Sequence, residues 1–172
     1  VARSSHAHAL LKEIRTEKAR RSPGVRAVIT GDMLPYMFGS MIADQPFLAK
    51  DRVRYNVEPI ALVIAESELE AQMAADAIEA SYEDLPAVFD VFEALKDDAP
   101  LVHEDQHAYR RDPARYPALD HTNICNETSY ELGDVEKAFA QADHVFEHCF
   151  FSHPTSHCAM EPFGSVARYD AV

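Results

Sequence analysis

The chain has 172 residues, with 16 Lys plus Arg against 29 Asp plus Glu, for a net charge of −13. Its five glycines are too dispersed for a G-x-G-x-x-G turn or a G-x-x-x-x-G-K-[ST] loop, which excludes a dinucleotide fingerprint and a P-loop. The acidity argues against nucleic acid, and no apolar run reaches the roughly 18 residues of a membrane span.

Val1–Leu11 carries His and Arg and has no apolar h-region, so it does not read as a secretory signal. Residues 1–26 hold seven basic and two acidic side chains, whereas residues 66–98 hold eleven acidic side chains and only Lys96. The acidic run reads as a solvated helix face. Pro23-Gly24 supplies a turn into a β-branched strand over Val25–Thr30. Ile60–Ala65 is nearly continuously apolar and reads as a strand covered on both faces.

Ser67-Glu68-Leu69-Glu70 is a capping-box pattern that starts a helix. The i, i+4 series Leu69, Met73 and Ala77, with Ala74 and Ile78 alongside, is its expected core face. A short helix is expected over Asp90–Leu95. The polar text from Pro100 to Asp120, interrupted by Pro113 and Pro117, reads as a long loop. Further strands are expected at Ile124–Leu132, His144–Phe151 and Ser165–Tyr169, with a helix capped by Asp134 carrying Val135, Ala138 and Phe139. Both ends read as cuts through a longer polypeptide. Strands and helices mix without strict βαβ alternation, which indicates an α+β fold.

The densest reactive cluster is His144, His148, Cys149, His153, His157 and Cys158, six potential ligands within fifteen residues. Sulfur with imidazole suits zinc or copper, but the spacings match no standard finger or ribbon. Dispersed structural histidines are the competing reading, and no metal ligand is assigned. Cys149 lies among Phe146, Phe150 and Phe151, an apolar setting that keeps a thiol protonated. Glu83-Asp84 and Asp97-Asp98 are sequence neighbours, not carboxylates facing across a cleft, so no acid/base pair is assigned. Arg110-Arg111-Asp112-Pro113-Ala114-Arg115 reads as a solvated loop in preference to an anion clamp. His6 and His8 fit a packing or surface role. Three cysteines without a signal indicate reduced thiols and a cytoplasmic setting. Catalytic residues are assigned to no position.

Several segments, read in order, resemble one family. They begin with Arg3-Ser4-Ser5-His6-Ala7-His8-Ala9, Pro23-Gly24-Val25-Arg26-Ala27-Val28, Leu48-Ala49-Lys50-Asp51-Arg52-Val53-Arg54-Tyr55 and Glu58-Pro59-Ile60-Ala61. Tyr82-Glu83-Asp84-Leu85-Pro86-Ala87-Val88, Leu101-Val102-His103-Glu104, Gly133-Asp134-Val135-Glu136-Lys137-Ala138-Phe139 and His157-Cys158-Ala159-Met160-Glu161-Pro162 follow. The succession is similar to the start of the molybdenum-binding large subunit of the xanthine dehydrogenase and aldehyde oxidase family.

The resemblance implies an α/β-hammerhead-like mixed sheet with covering helices over residues 1–100. A connecting loop over 101–122 and the first strands of a truncated molybdopterin-binding domain over 123–172 follow from it. It also implies that the chain is the structural N-terminal portion of an oxidoreductase that hydroxylates an aldehyde, an N-heterocycle or a related carbon centre. The molybdopterin would belong to the full enzyme and not to this portion alone. Iron–sulfur and FAD domains or subunits would be partners, together with the remainder of the large subunit and a small-molecule substrate, but neither nucleic acid nor membrane. Only the neighbourhood of Thr155 to Glu161 would approach the cofactor, with Thr155, His157 and Glu161 as its candidate residues by proximity.

Two positions depart from the family pattern. Thr155 stands where some members carry a glutamine. Val57 stands where glycine usually precedes the Glu-Pro pair, and an altered turn is expected there because a β-branched residue is strained at positive φ. The alternatives from a different class are a small His/Cys metal-binding module and a protein-interaction module.

Overall fold

The computed structural model describes residues 1–153, Thr155, Cys158, Met160, Glu161 and 164–170. The chain divides into two compact units, Val1–Ser129 and Tyr130–Val172.

The first unit is α+β. Its strands are β1 (Ala2–Arg3), β2 (Ala9–Arg15), β3 (Val25–Thr30), β4 (Met37–Phe38), β5 (Gln45–Pro46), β6 (Arg52–Val53), β7 (Pro59–Ala65) and β8 (Glu79–Asp84). Two three-stranded sheets, β1-β7-β3 and β6-β2-β8, accompany the β4-β5 pair, and every ladder is antiparallel. Helices α1 (Glu17–Arg20) and α2 (Glu68–Asp76) pack on the β7-β3 part of the first sheet. A short helix α3 (Val91–Ala94) follows, begun by Asp90 as expected. Val28 and Val53 are fully enclosed, with Ile60, Val63, Leu11 and Ala74 in the same core. Central β7 faces β3 in the register Val28↔Val63.

The capping box forms: Ser67 Oγ accepts from the Glu70 amide at 3.3 Å and donates to the Glu70 carboxylate at 2.8 Å. The expected core face of α2 forms only in part: Leu69 is 70% and Met73 64% exposed, whereas Ala74 is buried and Ala77 and Ile78 half-buried as expected. Ala75, which the expected face left out, is buried beside Ala74, with half-buried Ala71 a turn earlier. Both stripes have helical spacing. The alanine stripe lets the helix backbone lie close against β7, and close packing decides which stripe turns inward.

Strand β8 escapes the periodicity reading because it lies inside the acidic run. It is a strand and not a solvated helix face, and it pairs along β2 with Leu10↔Glu83 and Arg15↔Glu79 in register. Lys12 meets Glu83 at 2.6 Å, Arg15 meets Glu79 at 3.4 Å, and Lys18 also contacts Glu79. The basic start of the chain thus neutralises part of its acidic middle across one ladder.

Val57 corrects a second expectation. Its φ is +65°, so the left-handed turn is kept although valine is the wrong residue for it. The surroundings hold it there. Val57 N donates to the Ser4 carbonyl (2.9 Å), and its own carbonyl accepts from Arg3 Nη1 (3.0 Å). Next to it the Glu58 carboxylate, only 2% exposed, accepts from the Arg54 amide at 2.5 Å. These bonds fix the turn on both sides, and the strain is carried by the rest of the fold.

The second unit contains one helix among its described residues, α4 (Val135–Gln141), with Asp134 Oδ1 accepting from the Lys137 amide at 2.9 Å as the sequence predicts. The described residues of this unit are all exposed. The strands expected at 124–132, 144–151 and 165–169 do not form among the described residues. Alternating apolar patterning favours a strand, but the backbone groups need a neighbouring strand to bond, and the described residues supply none beside them.

Candidate functional site

The sequence directs attention to the stretch from His144 to Glu161. Thr155 and Glu161 lie in irregular, exposed backbone, and His157 lies outside the described residues. His144, His148 and His153 point to neighbouring phenylalanines, with ring centroids 6.4, 6.1 and 4.9 Å apart. No group of three or more His, Cys, Asp or Glu is placed to hold a metal among the described residues. His6 and His8 also diverge. His6 stacks on Tyr82 and its Nδ1 lies 2.6 Å from Asp84 Oδ1, whereas His8 is buried and its Nδ1 donates to the Pro86 carbonyl at 2.7 Å.

One concave feature of the first unit lies where the sequence predicts a loop. A cavity of about 400 Å³ opens between the Ile42–Asp44 segment, helix α3 and residues 102–125. The segment is ordered by its amides. Buried Gln106 donates from Nε2 to the Thr122 carbonyl (3.0 Å), and Asn123 donates to the carbonyls of Ala94 and Pro100, both at 3.1 Å. Asn123 Oδ1 in turn accepts from the Val102 amide at 2.9 Å.

Val88, Phe89, Val91 and Val102 give the cavity an apolar wall. Asp44, His103, Tyr109 and Arg111 give it a polar end. His103 Nδ1 is hydrogen-bonded to Tyr109 Oη at 2.7 Å. Burial, with Arg54 nearby, pushes the His103 pKa down to about 4, so the ring is neutral at neutral pH. Burial likewise raises the Tyr109 phenol above its ordinary range.

Arg111 corrects the reading of its segment as a solvated loop. Its backbone bridges to Ile42, and its guanidinium donates to the carbonyls of Gln106 and Tyr109. Its Nη1 is buried with no partner among the described residues. The only sequence signal for this site is the density of Asn, Gln, His and Tyr between 103 and 123, since the contacts that build it are side chain to backbone and leave no periodicity.

A molybdopterin needs donors for its phosphate and for the pterin edge. Around Thr155 and Glu161 the described residues supply no glycine-rich cradle and no enclosed cation. A cavity of the second unit is lined mainly by Leu132, Val135, Phe139, Val145 and Phe146. These residues by themselves do not fit the group, and no chemical step is routed through it here.

Residues 1–86 match the family described as aldehyde oxidase and xanthine dehydrogenase, a/b hammerhead domain, and residues 118–172 match the molybdopterin cofactor-binding domain. The nicotinate dehydrogenase large molybdopterin subunit of Eubacterium barkeri is 36% identical over 172 residues, covering 99% of this chain and 37% of that protein. The carbon monoxide dehydrogenase large chain of Hydrogenophaga pseudoflava is 31% identical over 183 aligned residues, covering 100% of this chain and 22% of that protein. The chain therefore spans between about a fifth and two-fifths of the length of these relatives. The reconstituted CO dehydrogenase from Oligotropha carboxidovorans superposes with a TM-score of 0.57 at 40% identity, over 60% of this chain and 13% of that one. With a hammerhead match over half its length and a cofactor-domain match after it, this chain belongs to the aldehyde oxidase and xanthine dehydrogenase family.

Proposed function

We propose that the chain works as the N-terminal structural portion of a molybdenum hydroxylase large subunit, whose full enzyme hydroxylates an aldehyde, an N-heterocycle or a related carbon centre. The observation that carries this reading is the contrast within the chain. A packed hammerhead-type unit is joined in sequence to a cofactor-domain segment whose apolar side chains, Phe146, Phe150 and Tyr169 among them, stay exposed. Apolar surface of that extent calls for further protein to cover it.

In this proposal residues 1–100 form the hammerhead, 101–122 the connection and 123–172 the first part of the cofactor domain. Thr155, His157 and Glu161 are the residues that approach the molybdopterin. Iron–sulfur and FAD domains or subunits take the electrons, and the enzyme is cytoplasmic. Among the described residues no helix is long and apolar enough to cross a membrane.

One preparation tests the proposal. The chain purified alone, without an affinity tag, is expected to carry no molybdenum and to turn over neither aldehydes nor purines with an artificial acceptor. Mixed with a separately expressed remainder of a relative's large subunit, it is expected to sediment as a one-to-one complex. Turnover by the chain alone, or no complex, overturns the reading. Stoichiometric zinc or copper, lost on replacing His148 and Cys149, favours a metal-binding module in its place.

A further inference from the structure

We propose that the surface formed by Met33, Tyr36, Phe38, Met41 and Phe47 around the β4-β5 pair is where this chain docks onto the remainder of the large subunit. The inference rests on the function proposed above and adds to it the place of contact on the first unit.

Composition sets this surface apart. Residues 33–49 contain a single charged side chain, Asp44, in a chain where 26% of residues are charged, and they hold three of its five methionines. Met33, Tyr36, Phe38, Met41 and Phe47 are all exposed. Phe38 and Phe47 stack on each other with ring centroids 4.8 Å apart, so they are presented together as one aromatic pair. A hollow of about 250 Å³ is lined by Tyr36, Met37 and Pro46 together with Arg52 and Arg54, and it gives an incoming side chain a seat beside the pair. Aromatic residues and methionine with charge excluded form the buried centre of a protein interface, and a free surface seldom carries them together.

The β4-β5 pair is also too small to stand uncovered. Each strand has two residues, and among the described residues no third strand joins them. A two-stranded ribbon is marginal in water unless a further strand or a packed layer covers it. One side is held already, since the Ala43 amide donates to the Arg110 carbonyl at 3.0 Å. The exposed apolar side still lacks its layer.

Length and charge select the occupant. The chain covers 37% of one relative's large subunit and 22% of another's, so most of such a polypeptide lies outside it. Permanent interfaces are the apolar ones, whereas surfaces that meet separable partners keep more polar character. The hairpin surface is of the first kind and suits contact within one polypeptide. The exposed Leu69 and Met73 of α2 are not, because they lie among Glu66, Glu68, Glu70 and Asp76.

Methionine oxidation reads the contact. Met33, Met41 and Met73 are 57%, 52% and 64% exposed, so hydrogen peroxide reaches all three in the chain alone. The full chain is oxidised alone and in complex with the separately expressed remainder of a relative's large subunit, and each methionine is followed by peptide mass spectrometry. In the complex Met33 and Met41 are expected to oxidise several-fold more slowly, with Met73 unchanged. Tyr36→Asp is expected to weaken the complex at least about tenfold, the cost of losing a central interface aromatic, whereas Leu69→Asp changes it less than about twofold. Phe47→Asp serves as the second variant, and circular dichroism confirms that each one folds. A complex in which Met33 and Met41 oxidise as fast as in the free chain overturns this proposal and leaves the proposed function standing. Equal protection of Met73, or full affinity in both Tyr36→Asp and Phe47→Asp, does the same. A dimer of the chain alone that protects Met33 and Met41 assigns the surface to a second copy and also overturns it. Absence of any complex overturns both readings.

Discussion

Residues 1–129 and residues 130–172 are written in the same vocabulary of β-branched, aromatic and alanine residues, yet among the described residues only the first stretch builds a core. In the first unit Val28, Val53 and Ile60 are enclosed because antiparallel ladders hold two sheets with a helix lying on one of them. In the second, Asp134 caps a helix correctly, and still neither Val135 nor Phe139 finds a second layer. The comparison separates local from tertiary specification. A cap, a turn and an apolar stripe define an element, but burial requires an opposing surface.

The sharpest way to break that contrast is a pair of truncations of similar chemistry. Ile60→Ala is expected to destabilise the chain to urea by about 3 kcal/mol, while Val166→Ala changes stability by less than about 0.5 kcal/mol. Comparable losses for both would show that residues 130–172 share a core after all.

The second prediction concerns the polar cavity of the first unit. The folded state holds the His103 pKa at about 4, below its ordinary 6.5. The unfolded chain therefore binds the proton first, and the stabilising contribution is complete above about pH 6.5 and lost as pH falls toward 4. After allowance for partial exposure, moving from pH 7 to pH 5 costs about 1.5 kcal/mol through this residue, and His103→Gln removes that part of the slope. An unchanged slope in the variant would locate the pH dependence elsewhere.

The smallest effect is at the strained turn. Val57→Gly is expected to stabilise the chain by about 0.5–1 kcal/mol, the relief of positive φ being partly offset by glycine's freedom when unfolded. A loss of stability on chemical denaturation would mean that the valine side chain, although 53% exposed, packs more favourably than its backbone is strained.

Much of the first unit was legible in the sequence. Val25–Thr30 and the apolar run within Pro59–Ala65 appear as strands because β-branched residues concentrate there, and Ser67, Asp90 and Asp134 each mark a helix start through one side-chain oxygen. The order of the segments also carried the family. The candidate cavity was not legible. Asp44, His103 and Arg111 are far apart in sequence, and the carbonyls that hold Arg111 and Asn123 have no residue type to announce them.

Length, charge and scarce glycine determined by themselves that no phosphate-binding loop of either standard kind is present, and local chemistry determined where most helices begin. Tertiary structure decided what local chemistry leaves degenerate. It chose the alanine stripe of α2 over the Leu69–Met73 stripe, set the middle of the acidic run as β8 against the basic β2, and held Val57 in a turn that valine disfavours. The reason is the same in each case: several local arrangements differ by about 1 kcal/mol or less, and close packing with paired backbone bonds outweighs that difference.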